Sequence, residues 1–212
     1  MESNYEKQAV LARERFLKYD QEPIIEKFQL QAEDTCFYLP FLDEQYRIDR
    51  KDGKIWKKEE NGYRLCLEYE VVMTIYDMLC YSGERPALSG RWCRLASLQA
   101  TNSSPSAEKF SGKYAGKFSG KVKLLRDACE ALGGERQAVP ASADVCYKLP
   151  LFPFFPVIFQ FWDGDEEFDP RIVILWDQNS LRFLHFETLY YAMGVLLKRL
   201  DDILQAYLAL MS

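Results

Sequence analysis

The chain has 212 residues, 48% hydrophobic and 28% charged, with a formal net charge of −5 and a pI near 5.1. Those figures predict a globular protein with a buried core and exclude a disordered or fibrous chain. The acidic balance argues against general nucleic-acid binding, which needs a positive field, and no apolar run reaches the roughly 20 residues that span a bilayer.

The N-terminal stretch "MESNYEKQAVLARERF" lacks the basic-then-apolar order of a signal peptide, so the cytoplasm is the expected location. From there the chain begins as a helix. Tyr5, Ala9, Ala12, Phe16 and Tyr19 form one apolar stripe at alternating steps of four and three. Pro23 opens a short second helix with Ile24, Ile25 and Phe28 turned inward. "TCFYLPF" and "QYRID" read as strands, and Asp52-Gly53 predicts a tight hairpin turn with positive φ at both residues.

"LEYEVVMTIYDMLCYSG" returns to helix, with Val72, Ile75, Tyr76, Leu79 and Cys80 on one face and Gly83 and Pro86 as the stop. "GRWCRLASL" adds a strand, and "TNSSPS" (101–106) reads as a surface loop. After it comes an internal repeat, "FSGK YAGK FSGK" (110–121). One continuous helix would stack Phe110, Tyr114 and Phe118, then Val122 and Leu125, with separate rows for the glycines and lysines. Three glycines cost a helix roughly 3 kcal/mol against alanine. That cost implies either a close backbone approach or a looser structure. Gly133-Gly134 closes the segment.

"LPLFPFFPVIFQFW" (149–162) is uncharged, and three prolines preclude an uninterrupted helix. Leu149 to Pro156 is expected as an extended lead-in. "VIFQFW" and "RIVILW", joined by "DGDEEFDP", are expected as two buried strands of an antiparallel hairpin. The last segment, from about Phe186, is a long helix with Leu189, Met193, Leu196, Leu200, Ile203, Tyr207 and Leu210 in a seven-residue repeat. Tyr190, Leu197, Leu204 and Leu208 widen that stripe. Packing within the chain is favoured, and a homodimer through this helix is the alternative.

Together these elements predict one α+β domain over residues 1–212. Its sheet is largely antiparallel, with the 155–176 hairpin at the centre and helices at both ends.

Six cysteines, at least 13 residues apart, form no CxxC or CxxH pair and are expected to be buried and structural. The sequence leaves any cofactor unknown, and nucleophile-elbow, dinucleotide and phosphate-loop motifs do not occur. The acidic turn Asp163, Asp165, Glu166, Glu167 and Asp169 departs from the EF-hand pattern, so a solvated turn is the favoured reading. His185, the only histidine, stands two residues before Glu187. A hydrolytic metal site would need further ligands from elsewhere, and the place of His185 near a helix start favours a local structural role.

The repeat is the most unusual feature. Residues 105–126 carry Lys109, Lys113, Lys117, Lys121, Lys123 and Arg126 against one acid, Glu108. A solvated helix face that partly offsets the acidic turn is the favoured reading of these charges; because ordered lysines concentrate field, Lys113, Lys117 and Lys121 with Tyr114 are the candidate ligand-binding residues. The reading that follows is a non-catalytic module holding a partner protein or a planar, partly anionic small molecule. Its rival is a metal-dependent enzyme using His185, Glu187 and the acidic turn.

Several stretches carry a resemblance. "YLPFLDEQYRI", "LSGRWCRL", Gly133-Gly134, Asp144, "LPLFPFFPVIFQFW", "DEEFDPRIVILWDQNS" and "FLHFETL" resemble a bacterial and archaeal family designated domain of unknown function 3786. The resemblance implies a cytoplasmic protein of a kind common in anaerobes. Some members carry an attached iron–sulfur domain similar to one in corrinoid proteins. This sequence has no such cysteine cluster, so no redox role and no catalytic residue is carried over.

Overall fold

A computed structural model describes residues 4–84, 86–98, 107–138 and 143–211. The 101–106 loop expectation lies outside the described residues. In chain order the elements are α1 (Asn4–Phe16), α2 (Glu22–Phe28), β1 (Cys36–Phe41), β2 (Glu44–Asp49), β3 (Ile55–Glu59), β4 (Gly62–Leu65) and α3 (Tyr69–Tyr81). There follow β5 (Trp92–Arg94), α4 (Ala107–Phe118), α5 (Val122–Ala131), β6 (Glu135–Arg136), β7 (Val145–Phe152), β8 (Phe155–Trp162), β9 (Arg171–Asp177) and α6 (Phe186–Met211). Both sheets are antiparallel and the class is α+β, with a helix toward each end of the chain. Among the described residues no helix is long and apolar enough to cross a membrane.

The chain forms two compact units. The first comprises residues 1–87, 152–154 and 181–192. Its sheet is the meander β1-β2-β3-β4. α1 packs against α3, and Phe16 sits 6.1 Å from Phe37 and 5.8 Å from Tyr76 between ring centroids. Of the predicted α1 stripe only Phe16 is fully buried, while Tyr5 and Tyr19 remain exposed. Ile24, Ile25 and Phe28 of α2 are buried as expected, with Pro23 in the first turn.

The β2–β3 turn differs from the predicted two-residue type. Positive φ occurs at Gly53 and not at Asp52. The Asp49 side chain accepts the N–H groups of Lys51 and Asp52, which curls the chain into a longer loop before Gly53.

The second unit comprises residues 88–151, 155–180 and 193–212. Its sheet runs β5-β9-β8-β7-β6, so the β8–β9 hairpin is central. Ile158, Phe161 and Val173 are buried and Leu175 is half-buried, with Phe159 opposite Ile174 and Phe161 opposite Ile172. Phe159 and Phe161 have no exposed surface, the dry interior that the uncharged run demanded.

The Leu149–Pro156 stretch is more than an extended lead-in. It contains the end of β7, a turn at Pro153 and Phe154, and the start of β8. The turn aromatics belong to the first unit. There Phe152 stacks on Phe41 at 4.7 Å and Phe154 stacks on Phe28 at 4.3 Å.

Candidate functional site

The lysine–glycine–aromatic repeat folds as a helix, a turn and a second helix. Tyr114 and Phe118 are buried, with Phe118 edge-on to Phe161 of β8 at 6.3 Å. α4 ends at Phe118 because Gly120 takes φ +71°, a conformation only glycine adopts cheaply. Asp163 secures that break. Its carboxylate accepts the Gly120 N–H at 2.9 Å and the Ser119 hydroxyl at 2.8 Å. Burial pushes the Asp163 carboxyl up, but the Gly120 N–H, the Ser119 hydroxyl and the Gly164 N–H outweigh it and hold the group below the ordinary range.

The three lysines thereby have different surroundings. Lys113 lies over the rings of Phe110 and Tyr114, 5.3 and 4.9 Å from their centroids. Lys117 pairs with Asp201 of α6, and that carboxylate holds the ammonium above its usual range. Lys121 donates to two carbonyls, those of Lys117 at 2.7 Å and Ser119 at 3.4 Å. Its hydrogen bonds go to neutral acceptors, and its charge also acts on the Asp163 carboxylate. The structure separates the expected group: Tyr114 is core, Lys117 is an ion-pair partner, and Lys121 opens onto a groove.

That groove, of about 760 Å³, is lined by Gly120, Lys121, Lys123, Leu124 and Asp127 from one side and by Tyr207, Leu208, Leu210 and Met211 of α6 from the other. The α6 stripe explains the apolar wall. Leu189, Met193, Leu196 and Leu200 are buried, and burial continues through Ile203 and Leu204. The same seven-residue spacing then carries Tyr207 and Leu210 beyond the covered part of the helix. Leu210 is 84% and Met211 75% exposed. Lys123 pairs with Asp127 at 2.8 Å on the rim.

The acidic turn is organised by Asp165. Its Oδ1 accepts the N–H groups of Glu167 and Phe168, both at 2.8 Å, while the Asp165 N–H donates to the Phe168 carbonyl. Asp165, Glu166, Glu167, Phe168 and Asp169 are all exposed.

In the first unit, the Nδ1 of His185 lies 2.6 Å from Oδ1 of Asp77 on α3, and the His185 N–H donates to Oδ2 of the same carboxylate at 2.8 Å. The Tyr81 ring lies 3.6 Å from the imidazole between centroids. His185 also caps α6, its carbonyl accepting the Leu189 N–H. The pair borders a groove of about 520 Å³ with Arg15, Cys80, Tyr81 and Glu187. Glu187 accepts the Tyr191 hydroxyl. Burial pushes the Cys80 thiol up to about 12, so it is a thiol and not a nucleophilic thiolate at neutral pH. All six cysteines are free. Among the described residues no three His, Cys, Asp or Glu side chains are gathered to hold a metal ion.

The anchoring carboxylates escaped sequence reasoning because their partners are remote. Asp177 is fully buried and accepts the Ser89 N–H at 2.9 Å, the Ser89 hydroxyl at 3.0 Å, the Gly90 N–H at 2.7 Å and the Asn179 N–H at 2.8 Å. "LSGRWCRL" and "ILWDQNS" therefore meet at one carboxylate.

The chain belongs to the family described as Domain of unknown function (DUF3786), whose model matches residues 20–199. No curated protein and no solved structure matches it.

Proposed function

We propose that this DUF3786 chain is a cytoplasmic, non-catalytic binding module. Its groove between the start of α5 and the end of α6 would hold a flat, apolar group bearing negative charge, on a small molecule or presented by a partner protein. One observation carries the reading: the apolar stripe of α6 outruns its own burial and emerges as Tyr207, Leu208, Leu210 and Met211 beside Lys121 and Lys123. An apolar wall with a cationic rim favours ligands that combine both characters. Six unpaired cysteines support the cytoplasmic assignment, since a reducing compartment keeps thiols free.

The test uses a planar aromatic sulfonate, 1-anilinonaphthalene-8-sulfonate. The folded chain binds it saturably with enhanced fluorescence, and Leu208→Glu or the Lys121→Glu/Lys123→Glu pair abolishes the signal while leaving the circular dichroism unchanged. Equal fluorescence from all three proteins overturns the assignment.

A second reading, a metal-dependent enzyme drawing on His185, keeps one observation in its favour. Asp77 fixes the imidazole through Nδ1, the way carboxylates orient metal-binding histidines, and Glu187 borders the same groove. Stoichiometric zinc, manganese or nickel in the purified protein, lost in His185→Gln, would favour it over the binding module.

A further inference from the structure

Three of the large hydrophobic side chains of the second unit stand mostly in solvent: Phe168 at 69%, Leu210 at 84% and Met211 at 75%. Leu88, the next in that unit, is only 37% exposed. The three belong to two surfaces of opposite character. Leu210 and Met211 line the groove, whose rim carries Lys121 and the Lys123–Asp127 pair and so keeps one net positive charge. Phe168 tops the acidic turn, flanked by Glu166, Glu167 and Asp169.

The turn is built to present its aromatic side chain. Asp165 accepts the N–H groups of Glu167 and Phe168 and donates its own N–H to the Phe168 carbonyl, which fixes the backbone on both sides of the ring. A preordered knob loses little freedom on docking. The hole offers apolar contact for the ring, and Lys121, which donates to two carbonyls and lies within electrostatic reach of Asp163, stands where the knob's carboxylates would come.

We infer that the Phe168 turn of one copy of this chain seats in the α5–α6 groove of a second copy. The inference rests on the groove being a binding surface and names its occupant. Knob and groove also lie side by side within one copy. Asp163, at the base of the turn, accepts the N–H of Gly120, and Gly120 lines the groove. A two-fold axis passing near Gly120 therefore lets two copies exchange both contacts at once, giving a closed dimer with two identical seats. Aromatic anchors in apolar holes with charged rims dominate such contacts, and the rim makes association salt-sensitive.

Sedimentation velocity on the full chain tests this across a wide concentration range. The wild-type chain forms a dimer that weakens as salt is raised. Phe168→Ser weakens it by about tenfold or more. Lys121→Glu/Lys123→Glu and Glu166→Lys/Glu167→Lys/Asp169→Lys are each monomeric alone, and mixing the two restores a dimer because both seats then pair opposite charges. Phe168→Ser leaves the melting temperature of the monomer unchanged, so its effect reads the contact and not the fold. A chain that stays monomeric, or a dimer indifferent to Phe168→Ser and both charge reversals, overturns the inference. A monomer that still binds the aromatic sulfonate at Lys121 would leave the binding reading standing and remove only the second copy as occupant.

Discussion

Gly120 donates its N–H to the Asp163 carboxylate at 2.9 Å while holding φ at +71°, and this contact divides the repeat into α4 and α5. The other two glycines have no comparable duty. A Cβ built on Gly112 or Gly116 meets nothing within 4 Å, and both lie on the exposed face of α4. Gly112→Ala and Gly116→Ala should each stabilise the fold by about 0.5–1 kcal/mol. Gly120→Ala should cost about 1–2 kcal/mol from its left-handed backbone. Urea denaturation distinguishes the three, and stabilisation by Gly120→Ala would contradict the break described.

Lys113 and Lys117 are expected to part company under mutation. Lys117→Met leaves the mostly buried Asp201 carboxylate, among the described residues, with the Gln205 amide as partner and should lower stability by about 1 kcal/mol, discounted for the half-exposed ammonium. Lys113→Met should leave stability within about 0.5 kcal/mol. Equal effects in thermal denaturation would mean that the Lys117–Asp201 pair contributes nothing.

Asp177 sets an acid limit on stability. Burial raises its carboxyl, but the Ser89 and Asn179 N–H groups, the Ser89 hydroxyl and the Gly90 N–H hold it below the ordinary range, as Gly120 and Ser119 do for Asp163. Both folded-state values lie below the unfolded ones. Their stabilisation is thus complete above the unfolded carboxylate range, about pH 4, and is lost as pH falls through the lower folded values. Asp177→Ala should cost roughly 2–4 kcal/mol at pH 7 by leaving several N–H groups unpaired, and should flatten the decline below pH 4. An unchanged acid profile in that variant would contradict the assignment.

Asp77 should matter more than His185 in their pairing. Asp77→Ala removes the acceptor of both the His185 main-chain N–H and its ring, a cost of roughly 1–2 kcal/mol. His185→Ala leaves the main-chain bond intact and removes a half-exposed ring, so it should cost less. The reverse order in chemical denaturation would show that the ring, not the carboxylate, secures this segment.

The pattern in the sequence revealed whatever depends on neighbours along the chain. The β8–β9 hairpin followed from two apolar runs around an acidic turn, and α6 followed from its seven-residue spacing. The hidden features depend on remote partners. Nothing near Asp177 points to Ser89, and nothing in "FSGK" points to Asp163 or Asp201. Phe152 and Phe154 read as part of a proline-rich lead-in because their stacking partners, Phe41 and Phe28, lie over a hundred residues earlier. Lys121 was legible as a candidate, but the groove beside it was not. Its one signal was the α6 repeat continuing to Leu210, beyond what the fold covers.

The groove is tested most directly through the methyl resonance of Met211. The chain has five methionines; Met78 and Met193 are buried, whereas Met211 lines the groove. With methyl-labelled methionine and increasing 1-anilinonaphthalene-8-sulfonate, the account predicts a saturable shift at Met211 with the Met78 and Met193 signals fixed, and loss of that shift in Lys121→Glu/Lys123→Glu. A Met211 signal that stays in place while the dye binds elsewhere would contradict it.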